Sequence, residues 1–295
     1  MFPNFTARRV TTSETEIALV LGGDGPPLLL LHGYPQTHVM WHKIAPRLAR
    51  DYTVVAPDLR GYGDSAKPPG DTSHAAYSKR SMARDMVEVM SALGHERFLV
   101  VGHDRGARVG HRMALDHAAR VRKLVVLDIA PTLTMYSRTD MDLAVAYYHW
   151  FLLIQPAPLP ETLIGNSAET YLNTWFQRPG TVPGAFTPEA LAEYRRCFLD
   201  PAAIHASCED YRAAASIDLA HDRADSERRV TCPLLALWGA RGFVGQKYDV
   251  LATWREKADD VRGQALPCGH FLAEEAPDET YAALSAFLKE DLGQN

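Results

Sequence analysis

The chain has 295 residues, of which 46% are hydrophobic, and it carries a formal net charge of −5. This length and composition can form one large domain with an insertion, or two domains. No block of lysine and arginine stands out, which excludes the charge pattern of a nucleic-acid or anionic-membrane surface. No apolar run approaches the roughly 20 residues that span a membrane.

The amino terminus and the cysteines indicate where the protein works. Residues 1–9 lack the apolar core of a signal peptide. The four cysteines form no C-x-x-C pair, which favours free thiols in a reducing compartment. We therefore expect a cytoplasmic protein.

Two strand regions come early in the chain. Residues 6–20 predict a first strand pair, and the glycine-rich segment 22–25 predicts a hairpin turn. The run 27–31 predicts a buried strand, directly followed by the loop His32-Gly33-Tyr34-Pro35. A loop of this type at the end of a strand is a candidate oxyanion loop, in which the backbone N–H of Tyr34 donates to a reacting carbonyl.

The next elements are a strand over residues 52–56 and a helix over residues 80–93, whose apolar positions recur at helical spacing. Between them, Asp58 and Arg60 lie in a tight glycine-rich loop. We expect these two charges to form an ion pair that fixes the loop.

Residues 98–117 carry the central motif. An apolar run over 98–101 predicts a buried strand, Gly102-His103-Asp104-Arg105-Gly106 predicts a sharp turn, and a helical stretch follows. This is the strand–turn–helix pattern of a nucleophile elbow, in which a side chain at either glycine would collide with neighbouring backbone. The central residue is Asp104, and a carboxylate nucleophile attacks saturated carbon to form an ester. The backbone N–H of Arg105 is the candidate second oxyanion donor.

The remaining strands indicate the domain organisation. Residues 123–127 predict a strand that ends at Asp128, and the alternation of strands and helices predicts a mostly parallel sheet. From residue 131 to about 229 strand-like runs stop, and aromatic, proline-rich and helical segments replace them. We predict an α/β core formed by residues 1–130 and 230–295, with a helical cap inserted at residues 131–229.

An ester on Asp104 needs a general base to activate water, and the base needs an acid to orient it. His270, in the loop before the last helix, is the candidate base. The loop 239–245, which follows the next core strand, contains no carboxylate. Asp128, at the end of the preceding core strand, is therefore the candidate for the acid that orients His270.

Together these residues resemble the fluoroacetate (haloacetate) dehalogenases, a branch of the α/β-hydrolase superfamily. The resemblance covers nearly the whole chain, and its most specific motifs are Asp104-Arg105 with Arg108 and the two cap segments Tyr148-His149-Trp150 and Asp210-Tyr211-Arg212-Ala213. It implies an α/β-hydrolase fold, no metal, no organic cofactor and a homodimer.

The resemblance also implies substrate contacts. Arg105 and Arg108 match the arginines that hold the substrate carboxylate, while His149, Trp150 and Tyr211 match the side chains that surround the departing halide. The physical chemistry agrees, because guanidinium groups bind a carboxylate bidentately and hold a nearby aspartate ionised. The expected partner is therefore a small haloacid, which is hydrolysed to glycolate and halide.

Two other functions stay open. A soluble epoxide hydrolase would use the same three catalytic residues, and Tyr147, Tyr148 and Tyr211 could include its acid pair, although Arg105 argues against this substrate. A non-catalytic binding protein with a hydrolase fold would be expected to have lost a member of the triad, and all three candidates are present.

Overall fold

The computed structural model of the protein describes residues 1–290. One sheet of eight strands runs through this part of the chain, in the spatial order β1-β2-β4-β3-β5-β6-β7-β8. The strands are β1 (Phe5–Thr11), β2 (Glu16–Gly22), β3 (Pro27–Leu31), β4 (Thr53–Pro57), β5 (Phe98–His103), β6 (Val121–Leu127), β7 (Leu234–Gly239) and β8 (Val261–Leu266).

Helices cover both faces of the sheet and fill the long connection between β6 and β7. Those outside that connection are α1 (Ala45–Leu48), α2 (Lys79–Ala92), α3 (Arg105–Asp116), α12 (Phe243–Lys247), α13 (Val250–Arg255), α14 (Leu272–Glu275) and α15 (Pro277–Lys289). Those inside it are α4 (Thr132–Ser137), α5 (Met141–Ala146), α6 (Tyr148–Leu153), α7 (Leu159–Gly165), α8 (Ala168–Phe176), α9 (Pro188–Phe198), α10 (Pro201–Ala215) and α11 (Ile217–Ala224). Two short 3-10 helices span His38–Trp41 and Ala75–Tyr77.

The six strands from β4 through β8 in spatial order pair in parallel, and β1 and β2 add an antiparallel edge. Continuous apolar runs form the centre of the sheet, where β5 is buried along its whole length, as expected for a strand with helices on both faces. Because the carboxyl ends of parallel strands meet at one edge, the loops after β3, β5, β6 and β7 share that edge. The candidate oxyanion loop, the elbow and Asp128 all lie there.

The connection between β6 and β7, in which the sequence predicts a helical cap, contains eight helices and no strand. The exact limits of core and cap stay predictions, and residues 291–295 of the predicted core lie outside the described residues. Within residues 1–290 each helix is too short or too polar to cross a membrane. All four cysteines are unpaired.

The predicted hairpin turn at residues 22–25 is wrong. It connects β2 to β3, and β4 lies between these two strands in the sheet. The hairpin is instead formed by the antiparallel strands β1 and β2, which residues 12–15 connect. Glycines are required at Gly23 and Gly25 for another reason: both have positive φ, and an added Cβ would lie 2.2 Å and 2.4 Å, respectively, from backbone oxygens of the neighbouring 49–52 segment.

Candidate active site

Asp104 lies on a sharp turn between β5 and α3. Its φ of +46° is unusual for a residue with a side chain. The turn tolerates no substitution at the flanking glycines, because an added Cβ would approach backbone atoms to 2.6 Å at Gly102 and 2.4 Å at Gly106. Gly33 is equally confined, because an added Cβ there would lie 2.6 Å from the Cβ of Asp104. Glycine is therefore required at these positions, as the sequence predicts, and the tight turn places the buried carboxylate of Asp104 at the carboxyl edge of the sheet.

The Asp104 carboxylate is held from one side by the candidate oxyanion loop. The backbone N–H of Tyr34 donates to Oδ2 over 3.1 Å. Arg105, the other predicted oxyanion donor, is the first residue of α3, so its N–H is one of the groups at a helix start that lack a partner within the helix. Burial raises the pKa of Asp104, but the nearby His270, Arg108 and Arg105 lower it by more than burial raises it, so the group is ionised at neutral pH.

His270 and Asp128 are in contact, although 142 residues separate them in the chain. Nδ1 of His270 hydrogen-bonds to Oδ2 of Asp128 over 2.6 Å, and the other carboxylate oxygen accepts the backbone N–H of Gly239 over 2.9 Å. Asp128 has a φ of +51°, so it also occupies a strained turn at the end of its strand. This arrangement suits a base whose ring orientation is fixed by a carboxylate. The catalytic roles of the three residues stay predictions.

His103 is a contributor that the sequence did not reveal. Its Nε2 lies 2.8 Å from the backbone oxygen of His270, and the two imidazole rings are 4.6 Å apart between centroids. Burial lowers the pKa of His103 to about 3, so the ring is neutral, and its Nε2–H donates a hydrogen bond to that oxygen. Its position directly before Asp104 in the motif was the available signal.

Arg105 points into the cap and is held there by Asp210 of α10. Its Nε and Nη2 donate to the two carboxylate oxygens of Asp210 over 2.9 Å and 2.6 Å. Burial lowers the pKa of Arg105, but Asp210 raises it more, so the guanidinium is fully charged. Asp210 thus occupies the fork formed by Nε and Nη2. The expected contact of Arg105 with a substrate carboxylate stays a prediction, and it would use Nη1. Nη1 is buried and has no hydrogen-bond partner within residues 1–290.

Arg108 lies one helical turn further along α3. Its Nη1 donates to the backbone oxygen of Ala130 over 3.1 Å and to the hydroxyl of Thr132 over 2.8 Å. Its guanidinium lies 4.9 Å from the ring centroid of Trp150. The Nε atom is buried without a partner in the described part of the chain. Each arginine thus presents one unsatisfied buried nitrogen.

The three predicted halide-binding residues come together around these arginines. The ring of Tyr211 lies 4.2 Å from the Arg105 guanidinium carbon, 5.6 Å from the ring of His149 and 6.4 Å from that of Trp150. Among residues 1–290, Nδ1 of His149 and Nε1 of Trp150 have no hydrogen-bond partner. Burial lowers the pKa of His149 well below its usual value, and Arg178 and His270 add to this, so the imidazole is neutral.

A cavity of about 790 Å³ opens between cap and core beside His270 and Asp128. Its wall is mainly aromatic and aliphatic, with Tyr147 and Trp175 from the cap and Phe243 from α12, and it carries the cationic Arg178. Asp104 does not line it. Water and small solutes thus reach the base from this side.

The profile of the alpha/beta hydrolase fold family matches residues 26–277. The chain belongs to this family. The predicted fold class is thereby confirmed. Together with the dehalogenase relative described next, this match identifies the chain as a hydrolase, which sets aside the non-catalytic alternative.

Similarity to individual proteins is more specific. The hydrolase is 48% identical to a fluoroacetate dehalogenase from Burkholderia sp. over 98% of this chain and 96% of that protein, which confirms the predicted resemblance. It is 35% identical to a soluble epoxide hydrolase from Corynebacterium sp. (strain C12), over 88% of each chain. The crystal structure of ALR0039, described as an alpha/beta hydrolase from Nostoc sp PCC 7120, has a TM-score of 0.97 at 64% identity, covering 99% of this chain and 100% of that one.

Proposed function

We propose that this hydrolase converts haloacetates to glycolate and halide through an ester on Asp104. The observation that carries the proposal is a set of four buried nitrogens around one aromatic cluster that have no hydrogen-bond partner among the described residues 1–290: Arg105 Nη1, Arg108 Nε, His149 Nδ1 and Trp150 Nε1. Leaving a buried donor unsatisfied costs about 1–3 kcal/mol. A substrate that carries one anionic group and releases a second anion would satisfy all four.

Substrate binding falls to the two arginines. The substrate carboxylate accepts from Nη1 of Arg105 and Nε of Arg108, one donor from each guanidinium. The departing halide accepts from His149, Trp150 and the hydroxyl of Tyr211. Burial and the neighbouring Asp104 raise the pKa of Tyr211 well above its usual value, so this hydroxyl keeps the proton that it donates. Fluoride needs such donors more than chloride does, because it is smaller and binds hydrogen-bond donors more strongly.

In the first step, Oδ1 of Asp104 attacks the halogen-bearing carbon. Oδ1 is the free oxygen, since Oδ2 accepts from Tyr34. A carbon–oxygen bond forms as the carbon–halogen bond breaks, and the halide leaves with the bonding electrons. The low pKa of Asp104 keeps the attacking group anionic, and Oδ2 becomes the carbonyl oxygen of the ester.

In the second step, His270 takes a proton from water, and the hydroxide attacks the carbonyl carbon of Asp104. Negative charge then develops on Oδ2, which the N–H groups of Tyr34 and Arg105 stabilise. Collapse of this intermediate breaks the bond between Cγ and Oδ1, and the departing glycolate oxygen takes the proton from His270. The Asp104 carboxyl, which now carries the oxygen of water, loses its remaining proton to solvent and becomes the carboxylate again. Asp128 stabilises the charged imidazole meanwhile.

The direct test measures halide release from fluoroacetate and chloroacetate in parallel with the purified protein. Release of both ions is the expected result. Release of chloride alone would support the two-step mechanism but contradict the proposed stabilisation of fluoride. Release of neither ion would overturn the proposal.

Two variants separate the steps. Asp104→Asn removes the nucleophile and should abolish turnover. His270→Asn blocks only the second step, so it should trap the ester, detected by mass spectrometry as added mass on the peptide that contains Asp104. An unmodified peptide after incubation with substrate would contradict the assignment of either the nucleophile or the base.

Epoxide hydrolysis is the second candidate, favoured by the similarity to the Corynebacterium enzyme. The same nucleophile and base could open an epoxide, with a cap tyrosine as the proton donor. Two buried arginines beside the nucleophile have no function toward a neutral epoxide. Parallel assays with a terminal epoxide should therefore show little or no diol product.

A further inference from the structure

The carboxylate of Glu275, at the end of α14, binds the backbone on both sides of the candidate base. Its Oε2 accepts the N–H of Gly269 over 2.8 Å, and its Oε1 accepts the N–H of Phe271 over 2.8 Å. Gly269 and Phe271 are the residues directly before and after His270. The Glu275 side chain is buried with only 8% exposed, so these charge-assisted bonds are shielded from water.

The same carboxylate reaches the cap. Oε2 of Glu275 also accepts the N–H of Val182, which lies in the cap segment between α8 and α9, over 2.9 Å. Within this segment Val182 directly follows Gly180 and Thr181, which line the cavity beside His270. One side chain therefore connects the loop of the base to the wall of the cavity.

The other contacts of His270 bind its ring and its carbonyl oxygen, whereas Glu275 binds the peptide N–H groups on either side of it. Asp128 holds the ring at Nδ1, and His103 binds the backbone oxygen. The two peptide N–H groups that flank His270 are both bound by Glu275. Loss of this carboxylate would free two peptide units at once.

We propose that Glu275 is a positioning residue that acts through His270, aligning the imidazole with the ester carbonyl and coupling that alignment to the position of the cap segment around Val182. The inference rests on the proposed function. It predicts a selective effect, because His270 takes no part in ester formation and is required for ester hydrolysis. A misplacement of about 1 Å can lower a rate by about 100-fold, so hydrolysis should slow while halide release in the first turnover persists.

The substitution Glu275→Gln tests this, since an amide keeps the shape and presents one NH₂ group to backbone donors that need an acceptor. We expect a fast release of one halide per active site, followed by turnover about 10- to 100-fold slower than wild type. The ester should accumulate on Asp104. Glu275→Asp, which keeps the charge on a shorter side chain, should be intermediate. Glu279→Gln, an exposed change one turn along, should behave as wild type.

Equal slowing of the first and later turnovers, without trapped ester, would overturn the proposal and leave Glu275 a purely structural role. A measurement that does not need turnover separates this inference from the proposed function. The proton between His270 and Asp128 should give a low-field NMR resonance that is lost in His270→Asn. In Glu275→Gln it should shift or broaden, and in Glu279→Gln it should not. An unchanged resonance in Glu275→Gln would also contradict the proposal, even if the protein released no halide.

Discussion

At the scale of single residues, the site depends on how Arg105 is held. Asp210 accepts from Arg105, Lys79 and the hydroxyl of Tyr62, the last over 2.7 Å. Burial raises the pKa of Asp210, and Arg105 and Lys79 lower it far below its usual value. The negative charge is therefore permanent, and it fixes which nitrogen of Arg105 remains for a substrate.

Asp210→Asn should weaken this arrangement in two ways. Stability should fall by about 3–5 kcal/mol, because two buried cations lose their counter-charge. Arg105 should also become free to turn, so that KM for a haloacetate rises about tenfold or more, the loss of about one charge-assisted hydrogen bond. Steady-state kinetics and denaturant unfolding measure the two effects.

The matched control is Glu209→Gln on the same helix. Glu209 is also buried and pairs with Arg212 over 2.8 Å, but it has no hydrogen bond to Arg105. This variant should lose stability and keep its KM. If both variants shifted KM equally, the orientation of Arg105 would not be the cause.

At the scale of elements, the sequence predicted the strands and turns that have a clear local pattern of apolar residues and glycines. The central strands are continuous apolar runs with helices on both faces, and the elbow combines such a run with two glycines. β8 was not predicted, since it is a partly exposed edge strand that carries Arg262 and Gln264. The limits of the cap, a homodimer and a cytoplasmic location stay predictions.

Charged partners were the least predictable feature. The expected Asp58–Arg60 ion pair does not form: Asp58 binds His38 over 2.8 Å, whereas Arg60 binds Asp85 of α2 over 2.6 Å. Asp210 was a motif residue whose pairing with Arg105 could not be derived. Such pairs join residues distant in the chain, and only the packing of elements decides which oppositely charged groups meet.

Glu274 of α14 also binds a residue distant in the chain, and its burial makes the stability of the protein depend on pH. It is fully buried, and its Oε2 accepts from Gln36, in the segment that follows the candidate oxyanion loop. Burial raises its pKa from 4.5 to about 8. Between these values the folded protein keeps a proton that the unfolded chain has lost. Unfolding then releases a proton, so stability from this group falls as pH rises from about 4.5 to about 8.

Glu274→Gln should remove this dependence, because an amide reproduces the protonated acid. At pH 5 the variant and the wild type should differ little, while at pH 8 the variant should be more stable by on the order of a few kcal/mol. Urea unfolding at the two pH values measures the difference. Parallel pH profiles for the two proteins would show that Glu274 is ionised in the folded state.

At the scale of the whole molecule, a protein with a net charge of −5 repels the anionic substrate that its site is proposed to bind. The cavity beside His270 has a local positive contribution from Arg178, whose guanidinium lies 4.5 Å from the ring of Trp175 and 5.5 Å from that of Tyr147. Its Nη2 also donates to the backbone oxygen of Ala146 over 2.6 Å. These contacts hold a cation in the wall of the cavity through which we expect the acid to enter.

Arg178→Gln should therefore lower kcat/KM for a haloacetate by about 3- to 10-fold at low ionic strength, because a positive charge in a cleft raises the local concentration of an anionic substrate. The difference should shrink as salt is added, because the Debye length falls from about 30 Å at 0.01 M to about 8 Å at 0.15 M. Turnover at saturating substrate should change little, since Arg178 has no assigned part in the reaction. Arg195→Gln, an exposed cap arginine paired with Glu169, supplies the control for the change in net charge. If both variants responded to salt in the same way, the overall charge and not the cavity would govern substrate capture.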